Sequence, residues 1–139
     1  MSRQNLSWAG PAGAMISNLA DLDTWIRDLF GLKLFPRKQL NEMTEMVSQK
    51  TGKPIEDVDA DDPIGFGLDL GRTFKQEAGG RLWYYQGTTL GFRAVFAYWP
   101  QDNLVITAAT NSQPPGNQDQ LIPFVVGGAY NAVMSAAKP

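Results

Sequence analysis

Residues 81–110, RLWYYQGTTLGFRAVFAYWPQDNLVITAAT, contain three apolar and aromatic runs separated by short turn-forming segments. The runs lie at residues 81–86, 92–99 and 104–110, and their aromatic and β-branched residues are typical of strands. Pro100–Asn103 is a turn segment, so the last two runs form a hairpin. Because strands joined by such short connections pair antiparallel, this stretch predicts an antiparallel sheet.

One more strand and three helices are predicted around this sheet. Apolar residues alternate with glycine and aspartate over residues 64–70, which is the pattern of a half-buried strand. Helical periodicity predicts one helix from the Ser17–Asn18 cap to Gly31, a second from residue 36 to about 48, and a third after a loop at residues 113–117. The predicted class is therefore α+β, with an antiparallel sheet of about four strands flanked by helices.

The composition excludes several kinds of function. The 139 residues include 12 Lys+Arg and 14 Asp+Glu, a formal net charge of -2 that disfavours nucleic-acid binding. There is no His and no Cys, so a Ser-His-Asp triad, a thiol nucleophile and a His- or Cys-ligated metal are excluded within this chain. No apolar run approaches the roughly 20 residues of a membrane span. The acidic run at residues 56–62 lacks the pattern of an EF-hand loop, so we expect a solvated surface there, and no metal or cofactor.

Two short patterns match catalytic motifs but lie in unsuitable places. Ser135–Lys138 has the Ser-x-x-Lys spacing, which puts an amine one helical turn from a hydroxyl. It lies at the end of the chain, where geometry is poorly held, so we interpret it as a chance match. Lys50–Gly52 spells Lys-Thr-Gly, a motif that works on a strand, but no apolar alternation flanks it and Pro54 follows. We expect an ordinary connection from a helix to a loop there.

A third pattern lies between two predicted strands. Residues 83–93, WYYQGTTLGFR, leave one strand and enter the next. Gly87 and Gly91 allow close approach to the backbone or unusual dihedral angles, and backbone N–H groups beside a glycine can serve as oxyanion donors. The alternative from the residues alone is a glycine-rich hairpin without chemistry.

Four segments in this order resemble the C-terminal part of the serine β-lactamase-like family, which contains class C β-lactamases, D-alanyl-D-alanine carboxypeptidases and related esterases. Ala9–Leu22 is similar to the family's small-residue segment, its Ser cap and the following helix. Ile64–Leu68 is similar to its Tyr-Gly-Leu-Gly strand, and Tyr85–Arg93 lies where the family carries its third motif. Val105–Asn111 resembles the closing strand, which commonly ends in Thr-Asn.

The resemblance implies where a substrate would bind. Tyr85 takes the place of the family's His or Lys, Gln86 the middle place, and Gly87 the glycine of the motif. Thr88 would supply a backbone N–H to the oxyanion hole, and the nucleophile's own N–H would be the second donor. The substrate-binding residues implied by the resemblance are Tyr85, Gln86, Gly87, Thr88, Thr89 and Arg93.

Tyr85 departs from the family pattern because a neutral phenol cannot attract a substrate carboxylate as an ammonium group does. This puts carboxypeptidase and β-lactamase specificity in doubt and leaves an esterase, an amidase or an unusual peptidase open. Arg93 either restores positive charge near the site or forms an exposed salt bridge.

The family's nucleophile motif and its Tyr-x-Asn motif precede this region, and no tyrosine of this chain has Asn two residues later. We therefore expect no catalytic residue here and interpret residues 1–139 as a single unit. It would be the C-terminal fragment of a serine hydrolase domain, an incomplete part of the β-lactamase/DD-peptidase-like fold, and inactive alone. The parent would form an acyl-enzyme with a small-molecule or peptide substrate, namely a β-lactam, a D-Ala peptide or an ester. Many family members are exported, which implies a periplasmic or envelope parent.

Two further expectations concern binding. The aromatic residues on neighbouring strands allow the alternative of a non-catalytic peptide- or carbohydrate-binding module. The predicted closing strand, Leu104–Thr110, would expose an apolar edge, and open edges pair with other chains. We expect a homo-oligomer through this edge, strand exchange, or a rearranged helix that covers it.

Overall fold

The computed structural model describes residues 6–13, 15–89, 91–112 and 121–137. Three α-helices and seven strands form within these ranges, with short 3₁₀ segments at Leu6–Ala12 and Gln76–Ala78. In chain order they are α1 (Leu19–Phe30), α2 (Arg37–Thr44), β1 (Met46–Ser48), β2 (Pro54–Ile55), β3 (Ile64–Phe66), β4 (Gly71–Lys75), β5 (Gly80–Thr89), β6 (Phe92–Trp99), β7 (Leu104–Thr110) and α3 (Leu121–Ala136).

The strands form one antiparallel sheet in the order β2-β1-β3-β4-β5-β6-β7. The α+β class is thus confirmed, but the expectation of about four strands is wrong. Residues 64–70 are not one strand, because the chain turns at Gly67–Leu70, with Asp69 at φ +53, and returns as β4. The second helix ends at Thr44, and the residues after it pair in β1 and β2 instead. Strands of two or three residues carry too few positions for a periodic signal.

Helix α1 begins and ends as its sequence predicts. The side chain of Asn18 accepts a hydrogen bond from the backbone N–H of Asp21 at 2.9 Å, and Gly31 follows the last helical residue. Ile26 and Leu29 are fully buried on the inner face of the helix. The polar cap and the apolar stripe therefore place this helix against the sheet.

Two cores lie on opposite faces of the sheet. The first, on the face covered by α1 (the α1 face), consists of Ile26, Met46, Leu70, Trp83, Phe96 and Val105. The second, on the face covered by α3 (the α3 face), consists of Leu82, Val95, Ala97, Trp99, Val126 and Tyr130. Consecutive residues of β5, β6 and β7 alternate between the two faces, so register decides which core each side chain joins.

The two motif matches judged unsuitable from sequence lie away from the strands that the third pattern joins. Lys50–Gly52 forms the turn between β1 and β2, where the Ser48 hydroxyl accepts the N–H groups of Lys50 and Thr51. The connection therefore joins two strands, and the expected helix-to-loop connection is wrong. Ser135 lies near the end of α3, while Lys138 and the predicted loop at residues 113–117 lie outside the described residues.

No helix within the described ranges is both long enough and apolar enough to cross a membrane.

Candidate functional site

Strand β5 extends beyond its neighbour β4. The pairing of these strands ends at Gly71 opposite Tyr84, whereas the pairing of β5 with β6 continues to Thr89 opposite Phe92. Within the described part of the chain, residues 85–89 therefore have a strand on one side only. This overhang contains most of the substrate-binding positions that the resemblance implies.

The direction of the backbone groups on this overhang follows from one backbone hydrogen bond of β4 and from the register of the strands. The backbone N–H of Phe74 donates to the carbonyl oxygen of Pro63 at 2.9 Å, so the backbone groups of Phe74 point towards β3. Backbone N–H and C=O groups alternate in direction along a strand. The backbone groups of Thr73 and Gly71, one and three residues before Phe74, therefore point towards β5. The backbone groups of Tyr84, which is paired with Gly71, point back towards β4.

The unbroken register of β5 carries this alternation past the end of β4. The N–H and C=O groups of Gln86 and Thr88 point to the side where β4 has ended, while those of Tyr85 and Gly87 point to β6. Among the described residues, no backbone hydrogen bond reaches Gln86 or Thr88 from that side. The overhang therefore presents two donor and acceptor pairs along an open strand edge.

Two of the implied side-chain positions lie on the α1 face. Tyr85 is 45% exposed and lies opposite buried Phe96. Gly87 is exposed, lies opposite Ala94, and has no heavy atom within 4 Å of the position of an added Cβ atom. The surface beside the Tyr85 ring is therefore open and formed by small residues.

Three of the remaining implied side chains lie on the opposite face of the sheet from Tyr85. The side chains of Gln86, Thr88 and Arg93 lie on the α3 face, since they alternate with Tyr85 and Phe92. Arg93 is only 8% exposed, so the alternative of an exposed salt bridge is wrong. For Thr89 the pairing with Phe92 is described, and the side chain lies outside what the structure describes. The sheet therefore separates the guanidinium of Arg93 from the face that holds the Tyr85 ring.

Burial divides the aromatic residues of β5 and β6. Trp83, Phe96 and Trp99 are buried in the two cores, and Tyr84 and Tyr98 are half-buried. The exposed pair, Tyr85 and Phe92, shares the α1 face. Most of the aromatic residues therefore stabilise the sheet rather than form a broad binding platform.

An ion-pair cluster that the sequence analysis missed lies on the α1 face. The guanidinium of Arg72 lies 4.8 Å from the centroid of the Trp83 ring and donates from Nε to Asp57 at 3.0 Å. Arg81 also pairs with Asp57, at 3.2 Å. Burial acts to raise the pKa of Asp57, but the hydrogen bonds from Arg72 and the Val58 N–H, together with the charges of Arg72 and Arg81, outweigh it and hold the pKa below its usual value. Both arginines are therefore neutralised in part by a carboxylate of their own chain.

The acidic run at residues 56–62 also forms hydrogen bonds inside its own loop. Besides the ion pairs of Asp57, the Asp59 carboxylate accepts the backbone N–H groups of Asp61 and Asp62, each at 2.9 Å. Among the described residues, no group of three or more acidic side chains is arranged to hold a metal ion. No sequence signal could have revealed the Asp57 pairing, because β4 and β5 bring its partners together.

In a comparison with family models, residues 2–128 of the 139 match the model described as Beta-lactamase. Searches of curated proteins and of solved structures found no match.

Proposed function

The chain belongs to the beta-lactamase family, and from that premise we propose that it is the substrate-binding C-terminal portion of a penicillin-recognising-type serine hydrolase. The observation that carries the proposal is the open edge of β5 at Gln86 and Thr88. The Ser-x-x-Lys and Tyr-x-Asn motifs would come from sequence that precedes this region in the parent, so this chain alone is inactive.

The open edge supports a specific chemical role. An extended substrate lies along it as an additional strand, held by the backbone groups of Gln86. The N–H of Thr88 donates to the oxygen that becomes negative when a serine attacks the substrate carbonyl. Gly87 keeps the α1 face clear between these two residues, so the acyl group approaches the backbone without meeting a side chain.

The charges around the edge favour a neutral acyl substrate. Tyr85 supplies a phenol where relatives carry His or Lys, while Arg72 and Arg81 already pair with Asp57. Arg93 is part of the proposed site because it is paired with Thr88. Its side chain lies on the α3 face, so its positive charge does not attract a substrate carboxylate beside Tyr85. An ester or an amide without a free carboxylate therefore fits better than a D-Ala peptide or a β-lactam acid.

Labelling with a fluorophosphonate and a fluorescent penicillin tests the proposal. We expect neither probe to label the isolated chain, and the fluorophosphonate to label a longer chain from the same reading frame. Ser135→Ala is the control for the terminal Ser-x-x-Lys match, and it should change nothing. Labelling of the isolated chain that Ser135→Ala abolishes would contradict the proposal, and labelling of neither form would favour a non-catalytic peptide- or carbohydrate-binding module.

We also propose that the isolated chain forms a dimer through β7. This strand ends the sheet order and pairs only with β6 among the described strands, while α1 and α3 pack on its two faces. By the same alternation as above, the N–H groups of Val105, Thr107 and Ala109 point away from β6. An unpaired edge of this kind binds a second strand.

Light scattering is the measurement for this dimer, with an expected mass near twice that of the 15.3 kDa chain. Ala109→Pro should restore the monomer because it removes an outward N–H without breaking the ladder to β6. Ala109→Ser, which keeps the N–H, should remain a dimer. A monomeric wild-type chain would overturn the expectation.

A further inference from the structure

A cavity of about 80 Å³ lies between the sheet and α3, on the face opposite Tyr85. Its apolar lining comes from the second core, with Leu82, Val95, Ala97 and Trp99 on the sheet side and Val126 on the helix side. Gly127 completes the helix side, where an added Cβ atom would meet only the Ala78 methyl group, at 3.8 Å. The packing of α3 on the sheet thus leaves a space that these side chains do not fill.

Four polar side chains line the same cavity. Thr73 and Lys75 come from β4, and Tyr84 and Gln86 come from β5. Within the described part of the chain, none of the four makes a hydrogen bond or an ion pair through its side chain. Thr73 is only 7% exposed, yet its hydroxyl oxygen is not among the fully buried polar atoms, so the surface that it keeps faces the cavity.

The positions of these groups give the cavity a direction. Lys75 is exposed and lies opposite Gly80, at the far end of β4, while Thr73 lies two residues along on the same face. Tyr84 and Gln86 lie at the other end, where β4 has finished. Lys75 is also the one charged residue among the described lining residues, so that end attracts an anion.

We propose that this cavity binds a short-chain aliphatic monocarboxylate. The carboxylate would accept hydrogen bonds from the Lys75 ammonium group and the Thr73 hydroxyl, and the alkyl chain would lie against Leu82 and Ala97. A cavity of about 80 Å³ is small, so it favours a short alkyl chain over a long one. Butanoate, with three carbons beyond its carboxyl carbon, matches both the length and the charge.

The site is separate from the proposed substrate edge, although both use β5. Gln86 directs its side chain to the cavity face and its backbone groups to the open edge. The ligand therefore binds without occupying the surface beside Tyr85. Its binding can be measured on the isolated chain, whether or not the parent is a hydrolase.

Titration with butanoate, followed by amide chemical shifts and by the Trp99 indole signal, tests the proposal. We expect saturable shifts at Thr73, Leu82 and Gly127, with a dissociation constant in the millimolar range for so small a ligand. Butan-1-ol, which has the same chain without the charge, should bind about fivefold more weakly, and acetate should give no saturable shift.

Two variants with matched controls locate the binding. Lys75→Gln should weaken butanoate about fivefold and remove its advantage over butan-1-ol, whereas Lys53→Gln, in the β1–β2 turn, should change nothing. Gly127→Ala should weaken both ligands at least threefold by filling part of the cavity. Gly128→Ala adds the same methyl group to the same helix, at an exposed position with open space around it, and should leave binding unchanged.

Three results would overturn the proposal. The first is the absence of saturable shifts in a chain whose amide spectrum shows it folded. The second is equal affinity for butanoate and butan-1-ol. The third is a Lys75→Gln variant that binds butanoate as tightly as the wild type.

Discussion

Replacing Trp99 with alanine is expected to lower the free energy of unfolding by about 3–5 kcal/mol. Trp99 is fully buried, and its ring stacks on that of Tyr130 with centroids 4.7 Å apart. Its indole N–H donates to the carbonyl oxygen of Ala78 at 2.8 Å. The substitution therefore leaves a cavity between sheet and helix and a buried carbonyl oxygen without its donor. Urea denaturation followed by far-ultraviolet circular dichroism measures the loss without relying on tryptophan emission.

Trp25→Ala is the matched control, because Trp25 is 44% exposed on α1. Its loss should cost at most about 1 kcal/mol. Trp99→Phe separates the two contributions of Trp99, since it keeps an aromatic ring against Tyr130 but loses the hydrogen bond to Ala78. Equal losses for Trp99→Ala and Trp25→Ala would show that α3 does not stabilise the sheet as the packing implies.

Thr88→Pro is expected to slow acylation of the longer protein by about 10²–10³-fold, the usual effect of removing one oxyanion donor. The proline ring removes the N–H of residue 88, which points to the open side of β5 rather than to β6. The sheet should therefore keep its pairing while the proposed oxyanion donor is lost. The rate of fluorophosphonate labelling measures the effect.

Two controls make the result specific to that N–H. Thr88→Ala keeps the backbone donor and should label within about threefold of the wild-type rate. Gly87→Pro removes an N–H that points to β6, so it should lower stability by breaking the ladder. Labelling of folded Thr88→Pro at the wild-type rate would remove Thr88 from the proposed mechanism.

The longest patterns in the sequence predict their strands and helix correctly. Residues 92–99 and 104–110 match β6 and β7, and the cap at Asn18 and the stop at Gly31 bound α1. These elements carry their own alternation, periodicity or capping residues. By contrast, β1 and β2 have three and two residues and form only because β3 provides a partner for β1.

In the candidate site, too, some features follow from the local sequence and others depend on the tertiary structure. Tyr85 and Gln86 lie in the predicted strand 81–86, so the sequence by itself places them on opposite faces. The prediction that this strand ends at residue 86 is wrong, and only its extension to Thr89 puts Gly87 on the face of Tyr85 and Thr88 on the face of Gln86. The open edge depends on where β4 stops, which no property of the residues in β5 specifies.

The sequence by itself determined the α+β class, the central antiparallel strands and the absence of His and Cys chemistry in this chain. Only the tertiary structure decided that Arg93 is buried on the face away from Tyr85 and that Asp57 pairs with Arg72 and Arg81. It also brought the polar side chains of β4 and β5 into one cavity beneath α3. The physical reason is that alternation and capping are local properties of the chain. Strand ends, neighbouring strands and helix packing depend on contacts between residues that are distant in sequence.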